Sequence, residues 1–159
     1  ASSWGLTVDG QPVPADPMQH TLWTGQPGPF STGPGGIQGA MVYVGKGTSL
    51  DLLLNNVRGK VVLMDVPFGK QPAGLLRPIS LGVQDSGKTF PPNYKWPDAY
   101  AGGTYPANYY RAMKAGAAAI VGVLVDHAEG LRYHNEAYRS YDPGQEMRVP
   151  GLWVSAGSR

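Results

Sequence analysis

The chain has 159 residues, the size of one ordinary domain, and 42% of them are hydrophobic, which supplies a core and argues against disorder. The formal charge of +2 is small and scattered, so no basic patch for nucleic acid or an anionic membrane is expected, and no window reaches the ~18–20 apolar residues of a membrane span. The absence of cysteine excludes disulfides, thiolate metal sites and cysteine nucleophiles, while 23 Gly and 15 Pro favour short strands and many turns.

From the N-terminus, residues 1–36 are turn-rich, punctuated by PVPADP and GQPGPFSTGPGG, with LTV (6–8) and TLW (21–23) as candidate short strands. No secretory apolar segment is present. GAMVYVG (39–45) has the pattern of a strand with Gly at both ends. Ser49 is placed to cap a short helix over Leu50–Leu54, with Asp51 favourably in its first turn. KVVLMD (60–65) is β-branched and apolar on both faces, as expected of a central strand.

Residues 66–103 show little periodicity and are expected to form a long loop, of the length that is usually functional or disordered; aromatic richness argues against disorder. Within this segment, GVQDSGKT (82–89) fits the phosphate-loop pattern G-x-x-x-x-G-K-[ST], which needs a helix directly behind it. FPPNYKWP follows instead, placing Pro91, Pro92 and Pro97 in the first turns of that helix. Two interior prolines would cost about 6 kcal/mol, comparable to the roughly 5–15 kcal/mol that holds a domain together. The match is therefore read as a surface loop.

TYPANYYRAMKAG (104–116) is the clearest helix. Thr104 is its candidate cap, and Pro106 stands where a missing N–H does little harm. Tyr105, Tyr109, Ala112, Met113 and Gly116 recur on one side while Asn108, Arg111 and Lys114 form a polar one. Gly116 suits the left-handed C-terminal position, and AAAIVGVLV (117–125) continues as a buried strand. VPGLWV (149–154) is expected to be a last strand, at an edge or bulged, because Pro150 and Gly151 interrupt it. The chain stops just after this run, as expected of a piece cut from a longer polypeptide.

Reactive constellations are largely missing. There is no G-x-S-x-G elbow and no HExxH, and His127-Ala-Glu129 lacks the P-C-x-x-C partner of zinc deaminases. Asp126, His127, Glu129, His134 and Glu136 gather in DHAEGLRYHNE, read as a solvated polar loop leaving a strand. Spacing gives no reason to pair Glu129, Glu136 and Asp142 as acid and base, and His20 stands alone among turn residues. No catalytic residue and no metal ligand is assigned. The better candidate is the aromatic cluster Phe90, Tyr94, Trp96, Tyr100, Tyr105, Tyr109 and Tyr110. Tyr and Trp combine large apolar area with a polar tip, as partner surfaces require. Tyr105 and Tyr109 are assigned to helix core, leaving Tyr94, Trp96 and Tyr100 as contact residues.

Three stretches in order resemble the protease-associated (PA) domain. GKVVLMD (59–65) is similar to its G-K-[IV]-V-L-V strand, AMKAGAAAIVGVL (112–124) to its A-x-x-A-G-A-x-A-[VI]-[IV] junction, and VPGLWVS (149–155) to its closing I-P-x-x-x-[IV]-S strand. The resemblance implies a β-rich α/β domain, an open β-barrel or sandwich flanked by a few short helices. On that reading 1–159 is a single domain of a larger peptidase, with a turn-rich lead-in (1–39), a family-like core (40–155) and the aromatic insertion loop 66–103. The lead-in is most similar to PA domains inserted in di-zinc aminopeptidases, with subtilisin-like proteases as the next host. Where the family has R-G-x-C or R-G-x-S and then Phe, this chain has MDVPFGKQPAG, so Phe68 stands nearest the family's Phe and that loop's ligand role is not carried over.

The resemblance implies a non-catalytic module that governs substrate access or positioning in a secreted or extracytoplasmic peptidase. Its partners would be a peptide or protein substrate, met by Phe68, Tyr94, Trp96 and Tyr100, and the adjacent catalytic domain of the same chain. It implies no cofactor in this domain, and zinc in the parent's catalytic domain if that parent is an aminopeptidase. Two other readings stand beside it: a structural spacer or oligomer contact, and an autonomous enzyme using nucleotide at 82–89 or metal at 126–136.

Overall fold

The computed structural model describes residues 3–18, 21, 31–72, 84, 86–87, 93–102, 104–126 and 146–158. The strands are β1 (Leu6–Val8), β2 (Gln11–Val13), β3 (Asp16–Pro17), β4 (Met41–Tyr43), β5 (Val61–Val66), β6 (Phe68–Pro72), β7 (Lys95–Gly102), β8 (Ala119–Leu124) and β9 (Gly151–Ser155). Two helices, α1 (Ser49–Leu54) and α2 (Ala107–Lys114), and a short 3-10 turn (Ala156–Ser158) complete the described elements. The molecule is a β-rich, mixed α/β fold with a five-stranded sheet of order β3-β9-β8-β5-β4. Among the described residues this sheet stays open rather than closing into a barrel.

The sheet is built around β5 and β8, whose runs VVLMDV and AIVGVL pair in parallel register from Val61↔Ala119 to Val66↔Leu124. Both are buried on two faces, which is why their sequences are nearly unbroken in apolar residues. Period-two alternation divides them: Val62, Met64, Val66, Ile120 and Leu124 face one cluster, Val61, Val121 and Val123 the other. The parallel strands follow one another as β4, β5, β8 and β9 without reversing direction across the sheet. Right-handed crossovers in such an order put their helices on one face. Accordingly Leu52 of α1 and Tyr109 and Ala112 of α2 share one cluster with Trp153. The opposite face has no helix among the described residues. There the β1–β2 hairpin packs Leu6 and Val13 against Val61, Val121, Val123 and Val154.

Local chemistry sets the helix ends. The sequence places the first cap at Ser49, but the structure places it one residue earlier. Thr48 Oγ1 accepts from the Asp51 N–H (3.2 Å), and the Asp51 carboxylate accepts from the Thr48 N–H (2.8 Å). From Ser49 the reciprocating position would be Leu52, which has no acceptor. Bonds donated to the Asp51 carboxylate by the Thr48 hydroxyl (2.8 Å), and then by the Thr48 N–H, hold that carboxyl below its usual range.

α2 starts at Ala107 with Pro106 in the cap position, and Thr104 is not its side-chain cap. Asn108, expected on the polar face, is instead buried. Its Oδ1 accepts from the Tyr109 N–H (2.8 Å), and its Nδ2 donates to Thr104 Oγ1 (3.1 Å) and the Lys46 carbonyl (3.3 Å). One amide thus satisfies a first-turn N–H and ties helix to loop. Gly116, at φ +93°, takes the left-handed position as expected.

The last strand also departs from expectation. β9 starts after Pro150, so the proline lies outside the ladder, and its register with β8 runs from Ile120↔Gly151 to Leu124↔Ser155 without a shift. β9 is therefore not bulged, and β3 takes the edge beside it over two residue pairs.

Candidate functional site

The segment expected to be a loop is rooted in a two-stranded antiparallel ribbon. β6 leaves the carboxyl end of β5 after Pro67 and pairs with β7 through Gly69↔Asp98, Lys70↔Pro97, Gln71↔Trp96 and Pro72↔Lys95. Phe68 then pairs with Gly102, so Ala99, Tyr100 and Ala101 are excess residues on β7 at an irregularity between Phe68 and Gly69. Both roots are anchored. Val66 is fully buried, and beyond the ribbon Tyr105 is buried with its ring edge-on to Trp153, centroids 4.8 Å apart. Between these anchors the ribbon belongs to a separate sheet. No helix occupies 95–102, where the helix of a phosphate loop at 82–89 would run.

All four sequence-derived contact residues belong to this ribbon or its approach. Phe68 and Tyr100 lie at the root and in the irregular stretch, and Trp96 is opposite Gln71. Tyr94 precedes β7 and is 38% exposed. Phe68 and the Gln71↔Trp96 pair are three residues apart, roughly 10 Å along a strand, so these positions are spread along the ribbon rather than gathered at one point.

Tyr105 and Tyr109 are core, as their spacing indicated. The Tyr109 hydroxyl and Thr21 Oγ1 both donate to the Val149 carbonyl, and Thr21 Oγ1 in turn accepts from the Gly151 N–H (2.6 Å). Burial pushes the Tyr109 phenol above its ordinary range. This knot fixes the start of β9 and is structural.

Asp126 is exposed past the end of β8, and Asp65 accepts from the Tyr43 hydroxyl at 2.7 Å. Among the described residues no three His, Asp or Glu side chains form a metal-ligand group. His20, Leu22, Trp23, Phe90, His127, Glu129, His134, Glu136 and Asp142 lie outside the described residues.

A concavity that periodicity did not indicate occupies the face opposite α1 and α2, helix-free among the described residues, at the amino ends of the parallel strands. Its volume is about 650 Å³. Met41, Val61, Ala119, Val121 and Leu152 form its floor, and residues 3–9 and 35–40 its two walls. Gly and polar residues make up most of 35–40, and the alternation of Trp4, Leu6 and Val8 in the other wall signals a strand but not an opening beside it.

No family model matches the chain, and none of the curated proteins does. No solved structure matches it either. Among the described residues, no helix is long and apolar enough to cross a membrane.

Proposed function

We propose that this chain is a PA-type domain: a non-catalytic module that binds peptide or protein and governs substrate access in a secreted or extracytoplasmic peptidase. The host on this reading is a zinc aminopeptidase rather than a subtilisin-like protease, and bond cleavage belongs to the adjacent catalytic domain. The observation that carries the proposal is the ribbon, fixed at both roots in the core yet paired only with itself among the described residues. Supporting it, the three PA-like stretches fall on β5, on α2 with β8, and on β9, and the three strands are neighbours in one sheet. Phe68, Tyr94, Trp96 and Tyr100 would then be presented beside the catalytic cleft of the adjacent domain, stacking on passing peptide and limiting what enters.

A titration of the ¹⁵N-labelled chain with unstructured peptides tests this. Shifts concentrated at 94–102 are expected, and silence there at millimolar peptide would overturn the reading. A second reading, an oligomer or domain contact, draws on α1, where Leu50, Leu53 and Leu54 are 62%, 80% and 74% exposed on a six-residue helix.

A further inference from the structure

We propose that the cleft on the helix-free face binds the free amino-terminal end of an extended, uncharged peptide, which adds as a strand to the outer edge of β1. This site is at the opposite end of the sheet from the ribbon's root, and the proposal stands independently of the ribbon's role.

Backbone polarity carries the first step. Asp9 and Gly10 both have positive φ, +49° and +79°, the signature of a two-residue hairpin turn. Such a turn is closed by a hydrogen-bonded pair, here Val8↔Gln11, and alternation makes Leu6↔Val13 the next. Thr7↔Pro12 is then the non-bonded pair, where a residue without an N–H is tolerated. The N–H and C=O of Thr7 therefore point away from β2.

Connectivity decides what they point at. β2 continues through Ala15 into β3 on the β9 side, so β1's outer edge looks across β8 and β5 towards residues 35–40. Among the described residues no backbone hydrogen bond joins β1 to that segment. The gap between them is the cleft.

An added strand would meet an edge on one side and the apolar floor of Val61, Ala119 and Val121 beneath. Main-chain bonds supply affinity in this mode and alternate side chains read the floor. The volume of about 650 Å³ lies within the usual range for ligand sites.

Charge sets the direction. Among the described residues lining the cleft, Asp9 carries the one formal charge, at the carboxyl end of β1. A peptide antiparallel to β1 begins at that end, bringing its α-ammonium to the carboxylate. A parallel peptide would bring its carboxylate there instead.

The test uses the intact chain and the pentapeptide amide Val-Ser-Val-Ser-Val, with a free or acetylated amine, followed by ¹⁵N shifts. Shifts at 5–9 and 35–41 are expected, with the free amine binding about two- to fivefold tighter at low salt, as an exposed ion pair allows. Asp9→Asn keeps the positive-φ turn, which Asn accepts, and should equalise the two peptides. Thr7→Pro removes the outward N–H and should weaken both. Ala119→Trp, which fills the floor, gives a second route to that loss if Thr7→Pro does not fold. Shifts confined to 94–102 would leave the ribbon reading intact and overturn this one. Concentration-dependent broadening without peptide would also overturn it, showing the edge paired with a second copy.

Discussion

Gly122 shows how one missing side chain shapes the core. On the helix-facing side of β8, a Cβ at this position would collide with the Cζ3–Cε3 edge of the Trp153 ring and lie 2.9 Å from Met18 Cε. Trp153 itself is pinned by Tyr105, so neither ring has room to withdraw. Gly122→Ala should destabilise the fold by about 1–3 kcal/mol, the cost of overpacking, read from the urea midpoint. Nothing in AIVGVL announces this, because the partner ring lies about thirty residues away in the chain. The cap of α1 is more legible: a hydroxyl before a leucine run marks a helix start, and Thr48 takes the position rather than Ser49 because it alone has Asp51 as the reciprocal acceptor.

Tyr109 makes a pH prediction. Its phenol is raised above the ordinary 10.0 by burial, so the folded state holds the proton that the unfolded state releases. The stability involved is fully present below pH 10 and lost as pH rises beyond it. Relative to Tyr109→Phe, the wild type should lose stability on moving from pH 9 to pH 11; parallel urea midpoints across that range would refute the assignment.

At the scale of elements, α1 exposes more apolar surface than the fold needs, and the ribbon pairs only with itself among the described residues. β6 and β7 were hidden in the sequence because Pro72, Pro97 and their glycines break any alternation, while an antiparallel ribbon requires only matched backbone. Replacing 69–101 by a short Gly-Ser link should leave the five-stranded sheet folded, since the roots Val66 and Tyr105 remain, and should abolish ribbon-directed peptide shifts. In α1, by contrast, Leu52 alone is buried. Leu53→Glu should change stability by no more than about 0.5 kcal/mol, yet shift the sedimentation profile if the second reading holds.

For the whole molecule, strand order is the governing fact. A parallel order that never reverses loads its helices on one side and leaves Val61, Val121, Val123 and Val154 to be covered by something else. The β1–β2 hairpin does so in part, which makes the turn-rich lead-in a piece of the core. Deleting residues 1–14 should lower stability by about 2–4 kcal/mol, from the burial of Leu6, Val8 and Val13, and raise dye binding to exposed apolar surface.

The sequence by itself determined β5, α2 and β8, because apolar period and glycine placement are local signals that short windows carry. It also brought Phe68, Tyr94, Trp96 and Tyr100 forward as contact residues, without the ribbon that carries them. Tertiary structure alone decided the burial of Asn108, the pairing of β6 with β7, the cover provided by β1–β2 and the cleft beside it. Each of these depends on which distant segments share a face, and hydrogen-bond partners and open space between segments leave no periodicity in the chain.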